Sequence, residues 1–403
     1  MSPYRTRWIR RLAPSCRSSR SDSPAYARGS AGPRLVWLAA ALLAAAGAAG
    51  AQEKDVARAL DLDTAATIGE IVPKLAQKRV VFVGETHDRY DHHLNQLEII
   101  RRLHEVQPNL AIGVEYLQKQ FQPQVDEYIA GKISENEFLK GVEYFQSWGY
   151  DYRLYAPIFR FAREQHIPVR ALNVPGSLPS AVAKVGLAGL TKEQRAALPA
   201  EFGPADEGYK ARLRAAFEAH QSGKPEAFDH FVEAQLAWDE SMAANAADYL
   251  SANPNAHMVI LAGAGHIEFG SGIPSRLERR THAPYAIVLS SGENVEPHIA
   301  DYILLSSRQE LPPAGVLGVS LKERDNECTV SEATPGSAAE KAGMERGDVL
   351  LAIDEQPVKS VEDVRLDLWD KKPGDRLRLR VRGKHRRERE LEVVLEAATK
   401  RAS

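Results

Sequence analysis

Arg79-Val80-Val81-Phe82-Val83 runs without a break into Gly84-Glu85-Thr86-His87-Asp88. A short apolar, β-branched run with no polar alternation is a strand buried on both faces. Such strands belong to a mostly parallel sheet covered by helices. Glu85 and His87 then fall at the strand's carboxyl end, which in open α/β sheets is where the ligand crevice lies.

The pattern recurs along the chain. Leu110-Ala111-Ile112-Gly113-Val114 ends at Glu115-Tyr116. Val169-Arg170-Ala171-Leu172, a weaker strand, ends at Asn173. Met258-Val259-Ile260-Leu261-Ala262 ends at Gly263-Ala264-Gly265-His266, and Ala286-Ile287-Val288-Leu289 is a fifth run. Both histidines follow a Gly-x-x-His turn, where a glycine lets the backbone bend sharply and return the imidazole over the sheet edge. Helical patterns fill the intervals. Residues 92–106 place Leu94, Leu97, Ile100 and Leu103 on one face, and 155–165 form a helix ended before Pro168. Residues 117–148 read as helical, with Pro123 near a start. From 226 to 250 a single amphipathic helix carries Phe228, Phe231, Val232, Trp238, Met242 and Tyr249. The expected fold class is α/β, a mostly parallel sheet covered by helices with a helical lid, spanning 55–305.

The remainder divides cleanly. A length of 403 residues suits two domains, and 44% apolar with 26% charged residues is ordinary for globular protein. The formal net charge of −2 gives no electrostatic reason to expect a nucleic-acid partner. Residues 1–51 read as a signal peptide: a basic lead, an uncharged run from Leu35 to Ala49, then Ala49-Gly50-Ala51, with Gln52 the new N-terminus. The run is short for a bilayer span. The expected location is periplasmic or secreted, or membrane-anchored if the signal is uncleaved. Beyond the leader only Cys328 is left, so neither an internal disulfide nor a Cys-based zinc or iron–sulfur site is available. The approach to the linker starts at Tyr302, the linker proper is 306–313, and Pro312-Pro313 stiffens its end. From 314 to 397 short strands and turns take over.

Taken singly, a strand-end Glu or Asn is commonly a helix cap, and a lone His is more often structural than a ligand. Together, Glu85, His87, Glu115 and His266 are expected to share one site. Asp88, His92 and His93 extend the His-rich stretch, with one of His92 and His93 facing the crevice and the other solvent. Trp238 and Met242 read as the apolar face of the lid helix, and Asp239 and Glu240 as solvated.

Several runs taken in order carry a resemblance. They are Gly84-Glu85-Thr86-His87-Asp88 with His92-His93 and Gln96, Gly113-Val114-Glu115, Tyr155-Ala156-Pro157, Ala171-Leu172-Asn173-Val174-Pro175, Trp238-Asp239 with Met242-Ala243, and Gly263-Ala264-Gly265-His266. Over about 65–291 the chain resembles the ChaN-like haem-binding family, whose superfamily includes Tiki metalloproteases and erythromycin esterases. The resemblance implies haem binding linked to iron acquisition, or a hydrolytic site.

Those readings make different demands. Haem needs an axial ligand and apolar walls; His87, His93, Tyr116, Asn173 and His266 are the cofactor-binding candidates. Hydrolysis needs a metal-activated water or a histidine base with a carboxylate partner. Glu85, His87, Glu115 and His266 are the catalytic candidates, and His87, Glu115 and His266 the metal candidates, for Zn, Fe or Mn. Whether the protein is an enzyme stays open, as does a homodimer sharing one ligand.

Gly315-Val316-Leu317-Gly318-Val319, Ala333-Thr334-Pro335-Gly336-Ser337-Ala338-Ala339 and Gly347-Asp348-Val349-Leu350 resemble a PDZ domain of bacterial envelope proteases. The implied partner is an extended peptide or protein C-terminus added as a strand. Amides of Leu317, Gly318 and Val319 would cradle its carboxylate, and Val364 and Leu368 would wall the pocket for its last side chain. A scaffold role through this module alone is a further alternative. Arg376, Arg378, Arg380 and Arg382 alternate with apolar residues and read as the solvated side of an edge strand.

Overall fold

The computed structural model describes residues 65–220, 225–290, 295–383 and 387–398. The basic lead, the apolar run at 35–49 and the cleavage point lie outside them. No helix among the described residues is long and apolar enough to cross a membrane.

The first domain is built on β1 (Val80–Glu85), β2 (Leu110–Gln118), β3 (Val169–Asn173), β4 (His257–Gly263), β5 (Tyr285–Ser290) and β6 (Tyr302–Leu304). All six run parallel in the order β3-β2-β4-β1-β5-β6. Burial on both faces follows from the period-two alternation of side chains. Val81, Val83, Ile112, Val114, Val259 and Leu261 point into one core, and Val80, Phe82, Ala111, Met258 and Ile260 into the other.

The helices of this domain are α1 (Ile68–Leu75), α2 (Tyr90–Val106), α3 (Gln122–Ile129), α4 (Glu135–Gly141), α5 (Tyr144–Ser147), α6 (Ala156–Glu164), α7 (Ser177–Val185), α8 (Lys192–Ala196), α9 (Glu207–His220), α10 (Pro225–Ala252) and α11 (Ile273–Thr281). Ile99, Ile100 and Leu103 of α2, with Phe159 of α6, close the first core. Met242, Ala246 and Leu250 of α10, with Leu277 of α11, close the second. The long helix expected at 226–250 is α10. The stretch 117–148 is not one helix. β2 continues through Gln118, and α3, α4 and α5 follow as separate short helices, Pro123 opening α3. Tyr302–Leu304, expected to lead into the linker, instead pairs with β5 as the outer strand.

The second domain contains β7 (Gly315–Val316), β8 (Val319–Arg324), β9 (Glu327–Ala333), β10 (Val349–Ile353), β11 (Gln356–Pro357), β12 (Arg376–Arg382), β13 (Glu388–Val394) and β14 (Glu396–Ala397). Two helices accompany them, α12 (Ala338–Lys341) and α13 (Val361–Leu368). Its main sheet is antiparallel in the order β13-β12-β10-β9-β8, around a core of its own that includes Leu317, Cys328, Val330, Leu350, Val364 and Leu379. β8 and β13 are its edge strands. The arginine strand β12 is not an edge. It lies between β10 and β13, with Arg378, Arg380 and Arg382 opposite Glu392, Glu390 and Glu388. Cross-strand charge pairing of this kind accounts for its polar face.

Candidate functional site

The carboxyl ends of β1, β2 and β4 are neighbours, because β4 inserts between β1 and β2. Glu85 and Gly263 are direct register partners. This brings Glu85, His87, Glu115 and His266 to one rim of the sheet.

Glu85 is the hub of one half. Its Oε1 accepts from His87 Nδ1 at 2.7 Å. His93 Nε2 lies 2.8 Å from Glu85 Oε2 and 3.1 Å from the His87 carbonyl oxygen. That N–H is directed at the carbonyl, since Glu85 Oε2 has no hydrogen bond among the described residues; the carboxylate contact is electrostatic. Gln96 fixes the other side of His93. Its Nε2 donates to the Val83 carbonyl at 3.1 Å, so its Oε1, 3.1 Å from His93 Nδ1, accepts. With both ring nitrogens donating, His93 is an imidazolium. Burial pushes its pKa down, but the charge of Glu85 and these hydrogen bonds outweigh it, and the pKa rises. Burial alone would also raise the Glu85 pKa. The charge of His93, followed by the hydrogen bond from His87, holds it instead at about 2.

Asp239 organises the other half. Its Oδ1 is 2.6 Å from His266 Nδ1, and its Oδ2 accepts from the Tyr209 hydroxyl at 2.7 Å. Asp239 is fully buried, not solvated, since the long helix turns it inward beside Met242. Glu240 is buried as well, and its carboxylate takes Arg279, Arg280 and the Gly203 amide. Burial opposes charge on His266, but Glu115, Asp239 and the Asp239 hydrogen bond dominate and lift its pKa to about 9.

Glu115 joins the halves. Its Oε2 accepts from the Gly263 amide at 2.7 Å, and its Oε1 is 3.5 Å from His266 Nε2. A Cβ on Gly263 would lie 2.9 Å from His87 Cε1, 3.1 Å from His87 Nε2 and 3.6 Å from Glu115 Oε2. The Nε2 edges of both imidazoles therefore turn toward one carboxylate. The glycine is required for this approach, not for a turn: Gly263 has φ −56°, which any residue adopts. Burial lowers the His87 pKa, and the Glu85 hydrogen bond with the Glu115 and Glu85 charges reverses that to a net rise.

The other sequence candidates take structural places. His93 keeps 1% of its side chain exposed, against 22% for His87 and 18% for His266, so it cannot meet a ligand directly. His92 does not face solvent either. It is fully buried, accepts from the Thr86 amide through Nδ1 at 3.0 Å, and burial pushes its pKa down. Asp88 is exposed. Asn173 donates to the Glu115 carbonyl at 2.9 Å and accepts from the Val174 amide, which fixes the end of β2. Tyr116 is buried, and its hydroxyl has no hydrogen-bond partner among the described residues. No cluster of three or more His, Cys, Asp or Glu side chains at metal-ligating spacing occurs among the described residues. Of the residues expected as metal ligands, Glu115 and His266 form an ion pair at 3.5 Å and His87 is tied to Glu85.

Aromatic rings close the rim. Trp148 and Tyr150, both half-buried, pack on His87 with ring centroids 5.1 and 4.9 Å away. Trp148 Nε1 donates to the Tyr155 hydroxyl at 3.1 Å, and Trp238 lies 6.3 Å from His266. Sequence reasoning missed the roles of Asp239, Tyr209 and Trp148. Asp239 had a signal, a carboxylate on the same helical face as Trp238 and Met242; Tyr209 had none.

A parallel α/β sheet with a histidine–carboxylate site at its strand ends, joined to a small, mainly antiparallel β-rich module, defines the class. The chain belongs to the family described as haem-binding uptake, Tiki superfamily, ChaN, whose model matches residues 71–277. A PDZ domain matches residues 315–395. Among solved structures, ChaN of Campylobacter jejuni with cofacially bound haem is 18% identical, covers 58% of this chain and 89% of its own, and superposes with TM-score 0.48. A mutant erythromycin esterase EreC in its open conformation is 16% identical, with 55% and 72% coverage and TM-score 0.36. The HtrA-type protease AlgW with a decapeptide is 19% identical, with 22% and 30% coverage and TM-score 0.21. The comparison with curated proteins returns no match.

Proposed function

We propose that this is an exported haem-handling protein that takes haem at the strand-end rim and docks an extended peptide or protein C-terminus through its PDZ domain. One observation carries the first half. His87 and His266 each have Nδ1 tied to a buried carboxylate, and each keeps about a fifth of its side chain exposed, 22% and 18%. A carboxylate on the far nitrogen fixes the ring and raises its basicity as an iron ligand. The residues present fit the group in donor type. His87 or His266 would hold the iron through an imidazole nitrogen, and Trp148, Tyr150 and Trp238 would give apolar surface for the macrocycle. Glu115 lies 3.5 Å from His266 Nε2 and must turn aside before that nitrogen is available. Iron held this way supplies ligand exchange and electron transfer.

Glu115 also favours a second reading, an acid–base hydrolytic centre. Two histidine–carboxylate dyads facing one carboxylate can divide proton transfer. His87 would remove a proton from water through Nε2 while Glu85 holds its Nδ1, and charged His266 would deliver one to a leaving group.

Titrating hemin into the chain from Lys54 onward separates the readings. Haem binding predicts a saturable Soret shift that His87→Ala or His266→Ala weakens at least about tenfold, the loss typical of disturbing a ligand or its support. No Soret change, together with hydrolysis of model esters or peptides that Glu115→Gln abolishes, sinks haem and establishes the second reading. Export predicts a mature N-terminus at Gln52 in an extracytoplasmic fraction; intact leader in the cytosol removes that part.

A further inference from the structure

The helix that walls the peptide groove is also part of the first domain's surface. α13 lies beside β8, an open edge strand, and the amide of Val361 at its start donates to Glu323 of β8 at 3.0 Å. On one face Val364 is buried in the core of the PDZ domain, and Leu368 packs beside it. On the opposite face Leu366 is buried in the first domain's core, and Trp369 packs against it. An eight-residue helix with one apolar side in each domain is a shared wall.

Polar contacts fix it there. Lys140 pairs with Asp363 at 2.8 Å, Gln146 donates to Glu362 at 2.9 Å, and Arg365 donates to the Phe145 carbonyl at 3.1 Å. Trp369 donates to Asn136 at 2.8 Å. Phe145 and Gln146 lie in α5, directly before Trp148 and Tyr150, the rings that cover His87.

A second line runs through aromatic rings. Trp369 is 4.9 Å from Tyr152, and Tyr152 is 5.1 Å from Tyr144. The Tyr144 hydroxyl donates to the Tyr150 carbonyl at 3.2 Å, and the Tyr150 ring is 4.9 Å from His87. Every link from the groove wall to the imidazole is a direct contact.

We propose that a peptide seated between β8 and α13 loosens the Trp148–Tyr150 cover and opens access to His87. The ligand class is an extended peptide with a free carboxylate and an apolar last side chain, which takes its place against Val364 and Leu368. A side chain wedged there bears on α13, and α13 cannot shift without pulling on the Phe145 carbonyl, Gln146 and Tyr152. Close-packed interiors pass on such a displacement instead of absorbing it. Coupling between sites is reciprocal, so a ligand that displaces the cover tightens peptide binding by the same factor. The proposal rests on the peptide-docking and strand-end-site readings above, but it concerns the cover itself, whether haem or substrate lies beneath it.

The test uses the two-domain protein and a decapeptide with a free carboxylate and an apolar last residue, selected by panning on that protein. Two readouts need no haem: amide exchange across 144–150, and the rate at which diethyl pyrocarbonate modifies His87, followed by mass spectrometry. Saturating peptide is expected to raise both by about fivefold or more, the lower range of ordinary coupling. In the double variant Gln146→Ala, Arg365→Ala, which removes solvent-exposed contacts, the peptide still binds and the rise falls toward unity. Unchanged or slower rates with peptide bound overturn the proposal, and so does failure to select any such peptide. A flat hemin titration in a protein whose His87 still responds to peptide overturns the haem reading alone.

Discussion

The two halves of the site do the same thing by different means. On one side a single carboxylate, Glu85, serves two imidazoles, His87 and His93, all within nine positions of the chain and set by β1 and the first turn of α2. On the other, Asp239 serves one imidazole, His266, and needs α10, the loop after β4 and Tyr209 of α9 to assemble. The first half is local and doubly charged. The second is dispersed, and its assembly depends on how α9 and α10 pack. The contrast teaches what holds each buried charge in place: one strand end and the turn that follows it on one side, the packing of two helices against a distant loop on the other.

The sharpest way to break the comparison is to remove each hub. Glu85→Ala leaves charged His93 and polarised His87 without a counter-charge in a buried setting. Breaking a buried pair in this way costs about 3–5 kcal/mol. Asp239→Ala strands one imidazolium, partly open to water, and is expected to cost less, about 3 kcal/mol. Urea unfolding measures both. Equal losses, or a larger loss at Asp239, would show that the sheet-edge half is not the more heavily loaded one.

The same contrast explains what was legible in advance. The parallel sheet followed from uninterrupted apolar runs, and Glu85, His87, Glu115 and His266 from their places at strand ends, because parallel strands align those ends whatever their order. Asp239 was misread as solvated. It lies where α10 is buried all round, with Ala237, Glu240, Ser241 and Met242 all inaccessible, and polar residue types do not announce burial that exists only once α9 and α11 pack against the helix. Tyr209 carries no mark at all, since its role exists only once α9 lies across α10. His92 and His93 read as one inside and one outside, yet both are buried, because the sheet covers one side of α2's first turn and the aromatic segment 148–155 the other. Tyr302–Leu304 is too short to announce itself as a strand without its partner β5.

Titration sharpens the comparison next, because the halves fail at opposite ends of the pH scale. The His266 pKa is raised from 6.5 to about 9. Its contribution to stability is fully present below about 6.5 and lost as pH climbs through 9. The Glu85 pKa is lowered from 4.5 to about 2. Its contribution is present above 4.5 and lost as pH falls toward 2. Each is worth at most about 3.5 kcal/mol at about 1.4 kcal/mol per pKa unit. Unfolding free energy measured from pH 3 to 10 should therefore decline at both ends. His266→Gln should flatten the alkaline decline and leave the acid one; a variant that keeps the alkaline decline would assign it to another group.

The smallest effect belongs where the halves meet. Gly263 has no side chain because the His87 edge and the Glu115 carboxylate both crowd that point, and an added Cβ would sit 2.9 Å from His87 Cε1. The backbone itself accepts alanine, as φ is −56°. Gly263→Ala is therefore a steric test with no change of charge. His87 is partly exposed and can swing outward, so the cost to folding is expected to be only about 1 kcal/mol, the low end of overpacking. The consequence for the site is larger than that figure suggests. A displaced His87 gives up its approach to Glu115 while keeping Glu85, which separates the halves without unpairing either. Hemin affinity or proton-transfer activity that drops at least about tenfold, with stability nearly intact, would mean that the site works only as a joined unit. If function survives with His87 moved, the Asp239–His266 dyad is sufficient on its own.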